Sequence, residues 1–297
     1  MKREALALEV TSVVLGASRD FLAKEGFIEL LPVILAPVTD PLRTTPEWAT
    51  IFAYGRPWYL TRSMIFHKQA AVRVYPKIFC FSPNVRLEPP ERAQTGRHLF
   101  EFVQLDLEVR GATREEVMEL GERLFLYILA EVRKECGKAL EAWGREVPEY
   151  SRPFLRIPWH KARQELGEDF EAELSRQSKT PIWLVDFPID QREFYDREDP
   201  EQPGILRDMD LLYPEGFGEA LSGGEREYQL ERIKARILRQ GLSLDSYRPL
   251  LALAEDGLSP SAGFGIGIER LVGFICGFPH VAQVRLFPRV PGEEALL

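Results

Sequence analysis

Apolar side chains recur at helical spacing through residues 3–25, at Leu6, Val10, Val13, Val14, Ala17 and Phe21, and the run stops at Gly26. The spacing predicts an opening helix closed by a glycine, the residue that tolerates left-handed backbone just past a helix end. From there to Pro57 frequent prolines interrupt the pattern, so short extended pieces and turns are expected. Helical spacing returns over 63–74. Residues 77–86 and 99–109 read as strands, and the polar stretch Pro89-Pro90-Glu91-Arg92 between them predicts an antiparallel hairpin with a long loop. The clearest helix covers 113–136. Thr113 and Glu116 open it as a capping box, and Val117, Leu120, Leu124, Ile128 and Val132 follow on one face.

Beyond it, residues 138–180 read as a charged, exposed helical insertion. Residues 182–187 and 206–213 look like strands separated by a polar surface loop, 226–240 and 247–254 like helices, and 261–267 like a strand feeding a helix over 268–276. Strands outnumber the helices that could cross between parallel neighbours. The expected fold class is therefore α+β, an antiparallel sheet flanked by helices, in a single domain spanning 1–297.

Composition narrows the picture. A hydrophobic share of 45% over 297 residues permits a large core. No apolar stretch approaches the length of a bilayer-spanning helix, and the N-terminal pattern carries Glu9, Arg19 and Asp20, so a cytoplasmic protein without a membrane partner is expected. Cys80, Cys136 and Cys276 are too few and too scattered for a disulfide framework or a zinc site. A formal charge of -8, with no run of Lys and Arg, argues against attraction to nucleic acid.

Three segments carry candidate chemistry. Along 99–109, Val103, Leu105, Leu107 and Val109 share one strand face, while Phe102, Gln104, Asp106 and Glu108 share the other. A solvated sheet face would explain that row if the strand stood alone. Arg86 and Glu88 at the end of the preceding strand, and Arg97-His98 before this one, bracket the same surface with charge. In Gly263-Phe264-Gly265-Ile266-Gly267, alternate glycines clear a strand face, so a flat ligand can lie against the backbone while Arg270 meets a phosphate. The spacing is not that of a dinucleotide fold, and no βαβ unit follows. Around 218–226, with Asp208 and Asp210 shortly before, Asp210 and Glu219 are candidate ligands for Mg²⁺ on a triphosphate; Asp208 and Glu225 are assigned solvated or structural roles. Ser63, Lys68 and Gln69 precede the hairpin.

Together these segments resemble the class II aminoacyl-tRNA synthetases, in their aspartyl/asparaginyl branch. Gly26-Phe27-Ile28-Glu29-Leu30-Leu31-Pro32 is similar to motif 1, Arg86 to Glu88 with 97–108 to motif 2, and 263–270 to motif 3. The resemblance implies a six-stranded antiparallel sheet, a homodimer, and activation of a carboxylate by ATP. By position, it implies that Arg86 holds the α-phosphate, that Phe102 stacks on adenine, and that Arg97 or His98 and Arg270 meet the outer phosphates. Arg86 and Arg270 are the implied catalytic residues, and Glu88 and Gly267 complete the implied ATP set. It places Mg²⁺ on Asp210 and Glu219, and aspartate on Ser63, Lys68, Gln104, Asp106, Ser222 and Arg226. Lys68 and Arg226, two cations, favour aspartate over asparagine, whose amide would leave them poorly paired.

Only about one helix precedes motif 1, so no anticodon-binding domain is expected, and tRNA is not expected as a partner. That form resembles the archaeal-type asparagine synthetases, stand-alone relatives of the aspartyl/asparaginyl-tRNA synthetase core. Leu31-Pro32-Val33-Ile34, Ser63-Met64-Ile65, 192–198 and 287–292 fit that group. The implied function is a ligase of asparagine biosynthesis: aspartate's side-chain carboxylate is adenylated by ATP, and ammonia displaces AMP. The alternatives are a minimal aspartyl-tRNA synthetase-like enzyme that passes aspartate to tRNA or another acceptor, and an inactive paralogue.

Overall fold

The computed structural model of the protein describes residues 2–43, 45 and 47–295. Helix α1 (Arg3–Lys24) ends as expected, with Gly26 at φ 83°, and strand β1 (Ile28–Glu29) follows directly. The proline-rich stretch folds into a small sheet of β2 (Leu35–Ala36), β3 (Thr50–Ala53) and β4 (Arg56–Leu60). Tyr54 and Gly55, both at positive φ, turn the β3–β4 hairpin. Helix α2 (Ile65–Ala71) leads into β5 (Lys77–Val85), and a loop containing a 3-10 turn at Pro90–Thr95 connects to β6 (Glu101–Arg110).

Helix α3 (Arg114–Ala142) is capped by Thr113, whose hydroxyl accepts from the Glu116 N–H while the Glu116 carboxylate accepts from the Thr113 N–H. It runs past the expected end because Cys136 and Leu140 are still core residues. Residues 138–180, expected as a helical insertion, instead hold the end of α3, an edge strand β7 (Leu155–Pro158), and two short helices, α4 (Trp159–Leu166) and α5 (Phe170–Gln177). The remaining elements are β8 (Ile182–Val185), β9 (Asp208–Tyr213), β10 (Gly218–Glu225), α6 (Leu230–Arg239), α7 (Arg248–Glu255), β11 (Ser261–Gly267) and α8 (Ile268–Cys276).

The main sheet has eight strands in the order β1-β5-β6-β11-β10-β9-β8-β7. Its six inner strands are antiparallel, as expected; the extra edge strands β1 and β7 lie parallel to their neighbours, so the sheet is mixed. One face of the sheet packs on α1, α3 and α8. Leu105, Leu107, Leu221 and Phe264 on that face are buried against Leu6, Val10, Leu124, Ile128 and Leu271. Burying a Leu or Phe side chain in this way contributes about 1.5–3 kcal/mol each. The opposite face carries the site. It is roofed by a second apolar cluster in which α2, α6 and α7 meet Phe194 and Tyr247.

The roof corrects one expectation. Residues 188–205, read as a polar surface loop, bring Phe194 to 0% exposure, and Phe194 stacks on Phe66. All three cysteines are free and buried, and burial pushes the thiols of Cys80 and Cys276 up to about 12. No helix of the described residues is long and apolar enough to cross a membrane.

Candidate active site

The floor of the site is set by strand register. β6 pairs with β11 so that Glu108, Asp106 and Gln104 stand opposite Gly263, Gly265 and Gly267. Each polar side chain of β6 therefore lies over a glycine. A Cβ at Gly263 would collide with the Leu107 carbonyl and the Glu108 carboxylate, whereas one at Gly265 would stand 3.2 Å from Asp106 Oδ1 and Gln104 Nε2. One strand further, Ser222 of β10 pairs with Gly265, and Asp210 of β9 pairs with Ser222. Asp106, Gly265, Ser222 and Asp210 thus form one row across four strands. The row is not a solvated face: Glu108 is 0% exposed and Lys68 is 3% exposed.

Two cavities open on this floor. The first, about 480 Å³, is lined by Arg86, Glu88, Arg97, His98, Phe102, Gln104, Glu219, Gly267 and Arg270. The structure thus brings together every residue of the expected ATP set. Arg86 lies with its guanidinium carbon 4.9 Å from the Phe102 ring centroid and donates to the Arg62 carbonyl at 3.1 Å. Arg270 donates to Glu219 Oε1 at 3.0 Å and to the Arg97 carbonyl at 3.3 Å. Three arginines and a histidine facing one cavity suit a polyanion. Burial, with Arg270, Arg92 and Arg97 beside it, holds His98 down at about 3, so its ring is neutral at physiological pH.

The second cavity, about 1080 Å³ and open to solvent, is lined by Ser63, Lys68, Gln104, Asp106, Ser222 and Arg226, the whole expected aspartate set. It meets the first at Arg86, Gln104 and Glu219. Arg226 was expected at the start of a helix; α6 begins only at Leu230, and Arg226 lies in extended chain bridged to Asp196. Its guanidinium pairs with Glu108 at 3.1 Å and Asp196 at 3.2 Å, while Lys68 Nζ pairs with Asp106 at 2.8 Å.

Asp40, Arg192, Glu193, Tyr195 and Asp196 also line this cavity and were missed in the sequence. Asp40 accepts from Ser63 Oγ at 2.7 Å and from the Tyr195 hydroxyl at 3.1 Å. Two signals were available: residues 192–198 fit the asparagine-synthetase group by resemblance, and the aromatic pair Phe194-Tyr195 interrupts a stretch otherwise read as polar loop.

The candidate metal ligands lie beside the junction. Asp210 is 4% exposed, with Oδ2 2.6 Å from Arg192 Nη2; its Oδ1 is buried without a hydrogen-bond partner. Burial raises the Asp210 carboxyl, partly opposed by Arg192. Burial also acts to raise Glu219, but Arg270, Arg192, Arg86 and Arg97 together hold it below the ordinary range. An orphaned carboxylate oxygen next to a second carboxylate fits Mg²⁺, which takes few protein ligands and completes its shell with water and phosphate oxygens. Among the described residues no group of three or more His, Cys, Asp or Glu side chains could hold a metal ion unaided. Asp208, expected as solvated or structural, is 1% exposed and pairs with Arg192 at 2.8 Å; Glu225 is also buried, paired with Arg197 at 2.9 Å and Arg207 at 3.1 Å.

Comparison with known proteins supplies the family. A family model described as "tRNA synthetases class II (D, K and N)" matches residues 2–291. An asparagine–tRNA ligase of Symbiobacterium thermophilum is 31% identical over 97% of this chain and 70% of its own length. The crystal structure of asparaginyl-tRNA synthetase from Pyrococcus horikoshii, complexed with asparaginyl-adenylate, superposes with a TM-score of 0.89 at 28% identity, covering 98% of this chain and 70% of that one. An aspartyl tRNA synthetase from Entamoeba histolytica gives 0.80 at 26% identity, covering 98% and 59%.

These relatives correct two expectations. The reaction expected from the sequence, amidation of aspartate by ammonia, is overturned, because relatives matched over nearly the whole chain are tRNA ligases. The exclusion of tRNA falls with it. It rested on the single helix before motif 1, and on a net charge of -8 without a basic run, but net charge sums the whole surface and does not describe any one patch of it.

Proposed function

Because the chain belongs to the class II tRNA synthetases of the D, K and N branch, we propose that it is an ATP-dependent ligase that adenylates aspartate or asparagine and passes the amino acid to a tRNA. The observation that carries this reading is the junction of the two cavities at Arg86, Gln104 and Glu219. A polyanion in the first cavity and a small zwitterion in the second would meet there, which is the arrangement that joining a carboxylate to a phosphate requires.

In the first step the α-carboxylate oxygen of the amino acid attacks the α-phosphorus, and the bond to the bridging oxygen breaks, so that pyrophosphate leaves. Arg86, at the junction, stabilises the charge that develops on the α-phosphate. Phe102 offers its ring to the adenine, beside the strand face cleared at Gly267. Arg97 and Arg270 neutralise the outer phosphates, and Glu88 and neutral His98 serve as hydrogen-bonding partners of the nucleotide. Asp210 and Glu219 would hold the Mg²⁺ that accompanies ATP, which supplies further charge neutralisation. Gln104, Asp106 and Ser63 receive the α-amino group; Lys68, Ser222 and Arg226 face the end of the side chain. In the second step a hydroxyl oxygen of the tRNA attacks the carbonyl carbon, gives up its proton, and AMP leaves. No side chain of the protein becomes a covalent nucleophile.

The test is exchange of labelled pyrophosphate into ATP with Mg²⁺ and each amino acid in turn, followed by addition of tRNA. Exchange confined to aspartate or asparagine, and then acid-precipitable label on tRNA, is the expected result. Exchange without any transfer to tRNA would overturn the second step, and absence of exchange with every amino acid would point to an inactive paralogue.

A further inference from the structure

Lys68 and Arg226, two of the cations that line the second cavity, are not free charges. Lys68 Nζ donates to Asp106 Oδ1 at 2.8 Å and to the Phe264 carbonyl at 3.4 Å, with Glu108 Oε2 3.7 Å away. Arg226 gives Nε to Glu108 Oε1 at 3.1 Å, Nη2 to Glu108 Oε2 at 3.4 Å and to the Gly263 carbonyl at 2.8 Å, and Nη1 to Asp196 Oδ1 at 3.2 Å. Two buried cations are thus enclosed by the three buried carboxylates Asp106, Glu108 and Asp196. The guanidinium has one Nη1 hydrogen left over. Asp106 and Glu108 belong to the sheet floor, but Asp196 comes from the roof and lines the cavity beside Arg226.

Asp196 is held there firmly. Its backbone forms an antiparallel bridge with Arg226, its carbonyl accepts from Arg236 Nη1, and its neighbours Phe194 and Tyr195 are packed into the second apolar cluster. The cavity wall therefore presents a fixed donor and a fixed acceptor side by side. A primary carboxamide matches that pair with its own acceptor and donor. A carboxylate would lie against the like charge of Asp196.

We propose that Asp196 is a specificity-determining residue for a side-chain carboxamide: the amide oxygen accepts from Arg226 Nη1 and the amide NH₂ donates to Asp196. This rests on the reading of the second cavity as the amino-acid site, and within that reading it selects asparagine over aspartate. It also revises the carboxylate clamp expected of Lys68 and Arg226, whose charges the protein itself already compensates.

The experiment is pyrophosphate exchange by the full chain with asparagine and with aspartate, on the wild type and on Asp196→Asn. The wild type is expected to favour asparagine in kcat/KM, and Asp196→Asn, whose amide can turn a donor toward a carboxylate, to shift the ratio toward aspartate by tenfold or more. An unchanged ratio in a folded Asp196→Asn variant overturns the role of Asp196 and leaves adenylation standing. Preference of the wild type for aspartate does the same, and decides the matter alone should the variant fail to fold. No exchange with any amino acid overturns both this proposal and the adenylation on which it rests.

Discussion

Burial and charge pull the carboxylates around the site in opposite directions. Glu193 is pushed up to about 6 by burial, with Asp40 adding to the effect, and Asp208 is pushed up to about 7 by burial despite its pairing with Arg192. The folded protein holds these protons more tightly than the unfolded chain does. Their contribution to stability is complete below the ordinary carboxylate range, near pH 4, and is lost as the pH rises through about 6 to about 7. Denaturant midpoints should therefore fall between pH 5 and pH 8. Glu193→Gln should flatten that fall, recovering at most about 2 kcal/mol at pH 8; an identical slope in the variant would acquit Glu193. Arg86→Ala tests a different property of a single residue. Removing the cation at the junction should lower kcat/KM for exchange by about 10²–10³-fold while leaving the thermal midpoint almost unchanged. Full activity in a folded variant would remove Arg86 from the mechanism. Arg86 could be found in the sequence because it sits at the end of a strand beside other charged groups. Asp40 and Asp196 could not, because each reaches the cavity from a segment without periodicity, and only the packed chain brings them to Ser63 and Arg226.

At the scale of the element, β6 and β11 depend on each other. The two-faced alternation of β6 and the glycines of β11 are both visible in the sequence, but their register is not, and it is the register that sets each glycine under a polar side chain. Two substitutions separate packing from recognition. Gly263→Ala would drive its methyl group into the Leu107 carbonyl and the Glu108 carboxylate, and should cost about 1–3 kcal/mol or more, seen as a clear drop in thermal midpoint. Gly265→Ala meets only the ends of Asp106 and Gln104, which can yield a few tenths of an ångström. It should fold with near-normal stability and raise the KM for the amino acid; a normal KM would show that the floor beneath Asp106 is not where the substrate lies. Strand β10 shows where local signals fail. Its Ser222-Gly223-Gly224 run has little strand propensity, and it becomes a strand because β9 and β11 hold it on both sides. By contrast, α3 was legible from its first residue, since the Thr113–Glu116 cap is local chemistry, and only its end depended on what Leu140 would touch.

For the whole molecule, the question is how a chain with a formal charge of -8 would meet the tRNA that the proposed second step requires. The fold class was readable because it follows from counting strands and crossover helices, and the two edge strands were not, because β1 and β7 are only two and four residues long. Charge distribution was the least readable property: it depends on which arginines the fold collects, and Arg97 is held below its ordinary range by burial and by Arg270 beside it. Two kinds of electrostatic contact with different salt dependence follow. In the proposed reaction the arginines of the first cavity would act at short range on a nucleotide partly enclosed by protein, where screening is weak. Contacts to the tRNA backbone would be exposed, release counterions, and act against an overall negative surface, so their strength should fall steeply as salt rises. Raising the salt from 50 to 200 mM should therefore weaken transfer to tRNA by at least tenfold while pyrophosphate exchange, measured without tRNA, changes little. Both rates should be followed in the same preparation across the salt series. A parallel fall would mean that salt acts on the shared adenylation step, whereas a fall in transfer alone would locate the nucleic-acid contacts outside the two cavities and leave the adenylate chemistry to the residues that line them.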